Sequence, residues 1–375
     1  MRIAIIGLGY VALGDALGLA RRHQVVLTGP VPDRVEAINA GDFPLGDPTL
    51  AAYLARHQLD IRATLDTAQA LEGAELVLIS APLAFSADGE DFCTKELESR
   101  IEFAFQRCPG VPIVLRSAVP IGFTAQMRAR LGASALLYAP EFLRESHALQ
   151  DTCAPKFLIV GDRGALGAKV AAVLQSAALR GGAEIKLMGA SEAEAVKHFS
   201  QAYLAARVAF FNELDSYALS FGLNARQVID GVCLDPRIGT YANNPCFGMG
   251  GQRVPRSTQH LNKVFGQVPS QVLPTVTGSN TSRISLLVSK VMERAPRTIG
   301  IYNPKGVSGA RDPLTLISEG LKAKGAEVRE FTGDASADPE ALAGFKAACD
   351  LVLAQRITPD LHDISAKVFS RDLFA

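Results

Sequence analysis

The sequence predicts an α/β protein, with one parallel-sheet domain before a long central helix and a smaller one after it. Three observations carry that reading. Arg2–Ile6 is an apolar run, followed by a glycine turn, a helical stretch to about Arg22 and a second apolar run at Gln24–Leu27. That is the order strand, glycine turn, helix, strand. From Glu192 to about Gly222 there is no proline or internal glycine, and apolar residues fall at Val196, Phe199, Tyr203, Val208, Phe211, Leu214 and Ala218, close to the helical period. After Gly278, helical patterns and short apolar strands alternate again.

The bulk numbers narrow the class. At 375 residues the chain is long enough for two or three domains with full cores. Lys+Arg and Asp+Glu are both 38, so no long-range field favours nucleic acid or acidic lipid. The six cysteines, at 93, 108, 153, 233, 246 and 349, form no CxxC pair and have no histidine at metal spacing. Buried free thiols of a cytoplasmic protein are expected, with no metal. The apolar start is broken by Asp15 and several glycines, and reads as strand and helix, not as an export signal. No apolar run approaches the ~18 residues of a membrane helix.

In the first domain, Gly7 allows a tight turn, Gly9 lets a pyrophosphate approach the backbone, and Ala12 stands in the third glycine position. This is a Rossmann unit, and Gly7, Gly9, Tyr10 and Val11 are its candidate cofactor-binding residues. A dinucleotide site also expects an acid at the end of the second strand to hold the ribose. Gly29 occupies that place, and Asp33 lies four residues too far along. Arg34 reads as a surface charge at a helix start, although an arginine there would tolerate a 2′-phosphate. The domain continues with strands at Leu76–Ser80, Val111–Leu115, Leu136–Tyr138 and Phe157–Val160. Ligands gather in the loops after such strands. Ser80–Leu83 and Arg116–Pro120 offer little chemistry. Ala139–Glu145 is richer, with Glu141 and Glu145 four apart as base or orienter, or as an arginine-balanced surface turn.

Ser191 and Glu194 have capping-box spacing at the start of the central helix, and Gly222 ends it. Roughly 28 residues at 1.5 Å rise make a rod of about 40 Å, enough to run from one domain to the next or to pair with its copy. Beyond it come a helix from about Ser282 to Glu293, strand Thr298–Tyr302, and the glycine-rich loop Asn303–Asp312 with Lys305 and Arg311. That loop is either a phosphate site or a plain connection. Helix Pro313–Lys324, strand Glu327–Phe331, helix Pro339–Ala348, strand Leu351–Ala354 and a short strand near Val368 complete a second, smaller Rossmann-like half. The expected domains are 1–190, 191–290 and 291–375.

Several stretches together carry a resemblance. They are GLGYV at the start, SAVPIGFT at 117–124, APEFLRES at 139–146, EAEAVKHF at 192–199, FNELDSYALSFGLNARQVIDGVCLDPRIG at 211–239, NNPCFGMGG at 243–251 and KVFSRDLF at 367–374. In this order they resemble the UDP-glucose 6-dehydrogenases over essentially the whole chain. The resemblance implies two Rossmann-like domains joined by a long central helix, in a homodimer. It also implies a reaction in which C6 of UDP-glucose is oxidised twice by two NAD, through a thiohemiacetal and a thioester on a cysteine. Carried over residue by residue, Lys197, Glu141 and Glu145 are retained catalytic positions. Phe142, Leu143, Arg237, Asn244, Phe247, Gly248, Gly250 and Gly251 are retained positions for a UDP-sugar.

The resemblance fails where the chemistry should be. The family's GGxCxPKDT loop matches Gly250–Thr258, with Arg253 at the cysteine, Arg256 at the lysine and Ser257 at the aspartate. Arginine stays protonated at any working pH and is neither nucleophile nor base. Ala118 replaces the threonine of the catalytic water, Gln201 an asparagine, Leu83 the threonine of a cofactor loop and Gly29 the ribose acid. Ala242, Met249 and Gln252 replace tyrosines on the uridine side, and Asn303 an arginine. Cys246 lies in the nucleotide-cradling stretch and Cys233 reads as packing, so neither is expected to stand in for the lost thiol. The combined losses imply a nucleotide-sugar-binding or regulatory pseudoenzyme that does not make UDP-glucuronate. Two other readings remain. One is an NAD(P)-dependent oxidoreductase with an altered substrate or a single hydride transfer on another nucleotide sugar, such as one bearing an acid that Arg253 and Arg256 could clamp. The other is a structural subunit of an active homologue.

Overall fold

The computed structural model describes residues 1–81, 83–85, 92–250, 253–304, 312–333, 335 and 337–374, apart from the side chains of 253–256 and 267. The chain divides into two compact units, Met1–His198 and Phe199–Ala375.

In the first unit the strands are β1 (Arg2–Ile6), β2 (Gln24–Thr28), β3 (Ile61–Thr64), β4 (Leu76–Ile79), β5 (Ala84–Phe85), β6 (Phe92–Cys93), β7 (Ile113–Leu115), β8 (Leu136–Tyr138), β9 (Phe157–Val160) and β10 (Glu184–Leu187). Six of them form a sheet in the order β3-β2-β1-β4-β7-β8. Every pair in it is parallel, with Ile5 opposite Leu27 on one side and Leu78 on the other. Helices cover both faces, so β1 and β4 are apolar along nearly their whole length. The strand order reverses between β1 and β4, and their carboxyl ends open the crevice in which such sheets bind ligands.

The strand expected at Phe157–Val160 is present as β9, and it pairs with β10 in a separate two-stranded sheet. The sequence reading missed β3 and β10. Both are short and partly exposed, and a four-residue edge strand leaves little alternation to read.

The central helix runs from Ala190 to Phe221, 32 residues. The expected capping box is overturned, because Ser191 lies inside the helix and Glu194 points elsewhere. The fully buried Glu194 carboxylate accepts from the Gly122 amide at 2.6 Å, the Thr124 amide at 2.9 Å and the Thr124 hydroxyl at 2.6 Å. These donors open helix Phe123–Leu131, whose first amides have no intrahelical partner. Gly222, at φ +67°, ends the central helix as expected, with the Leu223 amide donating to the Ala218 carbonyl. Its buried face is also corrected. Phe199 and Tyr203 are exposed, and Ala202, Ala205 and Ala209 are buried instead. Ala205 and Ala209 let Val276 of helix Val272–Met292 pack closely.

The second unit holds β11 (Thr298–Tyr302), β12 (Glu327–Phe331), β13 (Leu351–Ala354) and β14 (Val368–Phe369), parallel in the order β12-β11-β13-β14. Helices Val272–Met292 and Pro313–Ala323 bury Leu287, Val291, Ile317 and Leu321 against it. The first of these begins ten residues before the expected Ser282. Pro274 sits in its first turn, where no amide partner is lost, and Gly278 is tolerated within it.

Glu194→Ala would strand two backbone amides and a hydroxyl in the interior. It is expected to lower unfolding stability by about 1–3 kcal/mol, read as a lower urea midpoint at unchanged slope.

Candidate functional site

The glycine turn after β1 is tightly packed at its first glycine and open at its second. Gly7 has φ +141°, and a Cβ there would lie 2.6 Å from the Ser80 carbonyl oxygen, so only glycine fits. A Cβ on Gly9 would meet nothing within 4 Å, and no side chain caps the helix Tyr10–Leu19 that it opens. Tyr10 and Val11 are half-buried in its first turn. A helix start of this kind suits an anion.

The ribose end is different. A Cβ on Gly29 would lie 2.7 Å from Leu8 Cγ, so the two residues are packed closely here. Arg34 is exposed, and its Nη1 donates to the Leu8 carbonyl at 2.7 Å.

At the end of β8 the structure brings Glu141, Phe142 and Lys197 together. Lys197 Nζ, from the central helix, donates to the Glu141 carbonyl at 2.5 Å and to Oε1 at 2.9 Å. Glu141 Oε2 accepts from the Leu143 amide at 2.8 Å, and the ammonium lies 5.3 Å from the Phe142 ring centre. Both charged side chains are buried, at 2% and 5% exposure, so neither is a solvated helix or loop charge. Glu145 is exposed, in the short turn Glu145–His147. Ala118 is half-buried in the loop after β7, where the Ser117 hydroxyl donates to the Ala81 carbonyl at 2.6 Å and His198 Nε2 lies 2.7 Å from the Val119 carbonyl. Gln201 is half-buried on the central helix, in the second unit.

Sequence reasoning missed a second buried ion pair in the first unit. Arg116 makes a two-pronged contact with Asp15, at 2.8 and 3.0 Å, and donates to the Ala139 carbonyl at 2.9 Å beneath the Glu141 loop. Burial opposes the charge, yet Asp15 beside it keeps the Arg116 pKa above its ordinary value. The signal was available as a lone acid inside an apolar helix, a pattern that calls for a partner. Burial also raises the Glu194 carboxyl above its usual range, against its three donors.

In the second unit the candidate ligand residues lie on the loop 243–250. Asn244 donates to Asp372 Oδ1 at 2.6 Å and accepts from the Leu373 amide at 3.0 Å. Phe247 is buried, and the Asn280 amide oxygen would lie 2.7 Å from a Cβ on Gly248. Gly250 rests against Pro313. Arg237 is held by Asp235 at 2.6 Å and is 88% exposed. The thiol of Cys246 contacts the Gly248 carbonyl at 3.2 Å and the Asn212 amide at 3.5 Å, and Asn243 donates to Cys233 Sγ at 3.4 Å. All six cysteines are unpaired, and Cys93 is exposed where a buried thiol was expected. Helix Arg253–Val264 starts at the residue in the nucleophile position, and Ser257 on it is buried. Gly251, Gln252, Lys305, Arg311 and the side chains of Arg253 and Arg256 lie outside the described residues. Among the described residues no cluster of acids, histidines and cysteines could hold a metal, and no helix is long and apolar enough to cross a membrane.

A nucleotide-binding sheet of this topology, with a lysine–glutamate pair at its carboxyl edge and a long helix leading to a second α/β unit, defines a class of dehydrogenase folds. Residues 1–175 match the NAD binding domain of the UDP-glucose/GDP-mannose dehydrogenase family, and residues 191–282 match its central domain. The chain is 34% identical over 391 residues to a UDP-glucose 6-dehydrogenase of Streptococcus pneumoniae, covering 100% of this chain and 99% of that protein. It is 29% identical over 389 residues to a UDP-glucose 6-dehydrogenase of Campylobacter jejuni, covering 100% and 99%. Its fold superposes on a UDP-glucose dehydrogenase from Pyrobaculum islandicum with a TM-score of 0.84 at 22% identity, covering 99% of this chain and 94% of that one. The chain belongs to the UDP-glucose/GDP-mannose dehydrogenase family.

Lys197→Met would leave Glu141 buried without its cation, and an expected loss of about 3–5 kcal/mol follows. The double variant Lys197→Met/Glu141→Gln should recover part of that loss, a coupling that a chemical-denaturation cycle measures.

Proposed function

We propose that this chain binds a nucleotide sugar, a UDP-sugar by its resemblance, and does not carry out the NAD-dependent oxidation of UDP-glucose to UDP-glucuronate. One observation carries the reading: Arg253 stands where a thiolate would have to attack the sugar aldehyde, and a guanidinium makes no thiohemiacetal. Three further features support it. Ala118, Gln201 and Ser257 replace groups that work with that thiol. Gly29, packed closely against Leu8, stands in the place of the ribose acid. Lys197, the residue that would hold the C6 oxygen, is engaged by Glu141. Losing one member of such a cooperating set costs roughly 10³-fold or more in rate, and here several are gone together.

Retained Glu141, Phe142, Leu143, Asn244 and Phe247, with the glycines of the 248–251 loop, support a ligand role, in which the protein senses the sugar or partners an active homologue. The aromatic residues Phe199, Tyr203, Phe210, Tyr217 and Phe221 are 45–66% exposed along the central helix, and support pairing with a second copy. The glycine turn at Gly7 and Gly9 favours the second reading, a single hydride transfer with a nicotinamide cofactor on another nucleotide sugar.

Pure protein mixed with UDP-glucose and NAD or NADP is expected to give no rise in reduced-cofactor absorbance. A rise overturns the proposal. Arg253→Cys alone should not restore turnover, because Ala118, Gln201, Ser257 and Gly29 remain. In a thermal-shift screen, a UDP-sugar at about 100 times its dissociation constant should add ~2.7 kcal/mol of stability.

A further inference from the structure

The motif Lys367–Phe374 stands out in the sequence, and the function proposed above makes no use of it. Within the second unit, successive residues of its closing part are fastened to what carries the ligand loop. Phe369 stacks on Phe247, with ring centres 6.1 Å apart and planes 4° from parallel. Arg371 meets both oxygens of Asp215, through Nε at 3.0 Å and through Nη2. Asp372 and the Leu373 amide take both ends of the Asn244 side chain. The Leu373 carbonyl accepts from Arg226 at 2.8 Å, and that guanidinium lies 3.8 Å over the Phe374 ring.

Asp215 is fully buried on the central helix and also holds Arg283 at 2.5 Å. Arg283 in turn donates to the Cys246 carbonyl at 3.0 Å, while Asn212 accepts from the Cys246 amide at 2.9 Å. The Asn244 side chain, the Cys246 backbone and the Phe247 ring are thus held by one network that includes the tail. The loop has no helix or strand of its own, and Ala242 at its start is left-handed, with φ +50°. Its shape must come from outside partners.

We propose that Phe369–Phe374 is a strap that positions the loop Asn243–Gly250 for its ligand, with Arg371 as its anchor. The strap's ligand role rests on the nucleotide-sugar reading above. Arg371 is a positioning residue: without it, Arg283 is the one cation among the described residues left to neutralise the Asp215 carboxylate, and Arg283 is drawn from the Cys246 carbonyl. Coupling of this kind is reciprocal, so a ligand held by the loop must also hold the strap.

Hydrogen exchange and calorimetry on the full chain test this, with UDP-glucose as the probe. In the free protein, Arg371→Ala is expected to speed exchange at the Cys246 and Met249 amides about tenfold or more. Its UDP-glucose affinity should fall by about as much. Arg371→Lys should recover part of both, because lysine restores the charge without the two-pronged geometry. In the wild type, saturating UDP-glucose should slow exchange across 370–373. Unchanged loop exchange and affinity in Arg371→Ala, with only Tm lowered, would reduce the tail to plain scaffolding and overturn the proposal. So would bound UDP-glucose that leaves tail exchange unaltered. If Arg371→Ala does not fold, Asp372→Ala cuts the Asn244 contact without touching Asp215, and the same outcomes apply. A wild type whose loop and tail are coupled in exchange but which binds no nucleotide sugar overturns the ligand reading, and with it the strap's ligand role, while the coupling stands.

Discussion

Three ionisable side chains on the first turns of the central helix have no water to face, and that constraint sets the candidate site of the first unit. Glu194, Lys197 and His198 are all 2% exposed or less. A buried charge without a partner is far more costly than a surface one. Glu194 therefore takes the open amides of helix Phe123–Leu131, Lys197 takes Glu141, and His198 takes the Val119 carbonyl. The loops after β7 and β8 are pinned from one helix. Asp15 and Arg116 brace the second of these loops from below through the Ala139 carbonyl.

The second unit repeats the device with one carboxylate and two guanidinium groups. Asp215 gathers Arg283 and Arg371, and through Arg283 it reaches the backbone of the 243–250 loop. In both units a charge on the central helix shapes a loop of irregular backbone. Regular hydrogen-bond ladders cannot fix such loops, so side chains do so instead.

This arrangement bears on why some family residues persist while others are gone. Lys197 and Glu141 satisfy each other in the interior, and losing either removes the counter-charge of a buried group. Their retention is explained by architecture and is not by itself a sign of turnover. On the proposed reading, Arg253, Ala118 and Gln201 stand at positions that would matter chiefly to the reaction. By the same reading, the groups that only reacted have drifted, and the groups that also hold the fold have stayed.

Much of this was legible in the sequence. The glycine turn at Gly7 and Gly9, strands β1, β2, β4 and β11–β14, and the helix ending at Gly222 follow from local pattern, because period, chain breakers and left-handed turns act within a few residues. That position 29 is glycine and position 253 arginine was equally plain, since the identity of a residue needs no fold to be read. Tertiary structure alone decided the partners. Asp15 lies 101 residues from Arg116, Glu194 72 from Gly122, and Asp215 156 from Arg371. Nothing local distinguishes a buried acid from a capping one, or an aromatic facing water from one in the core, as Glu194 and Tyr203 demonstrate. Which charge meets which depends on how distant segments close around a dry interior, and that is settled only when the chain has folded.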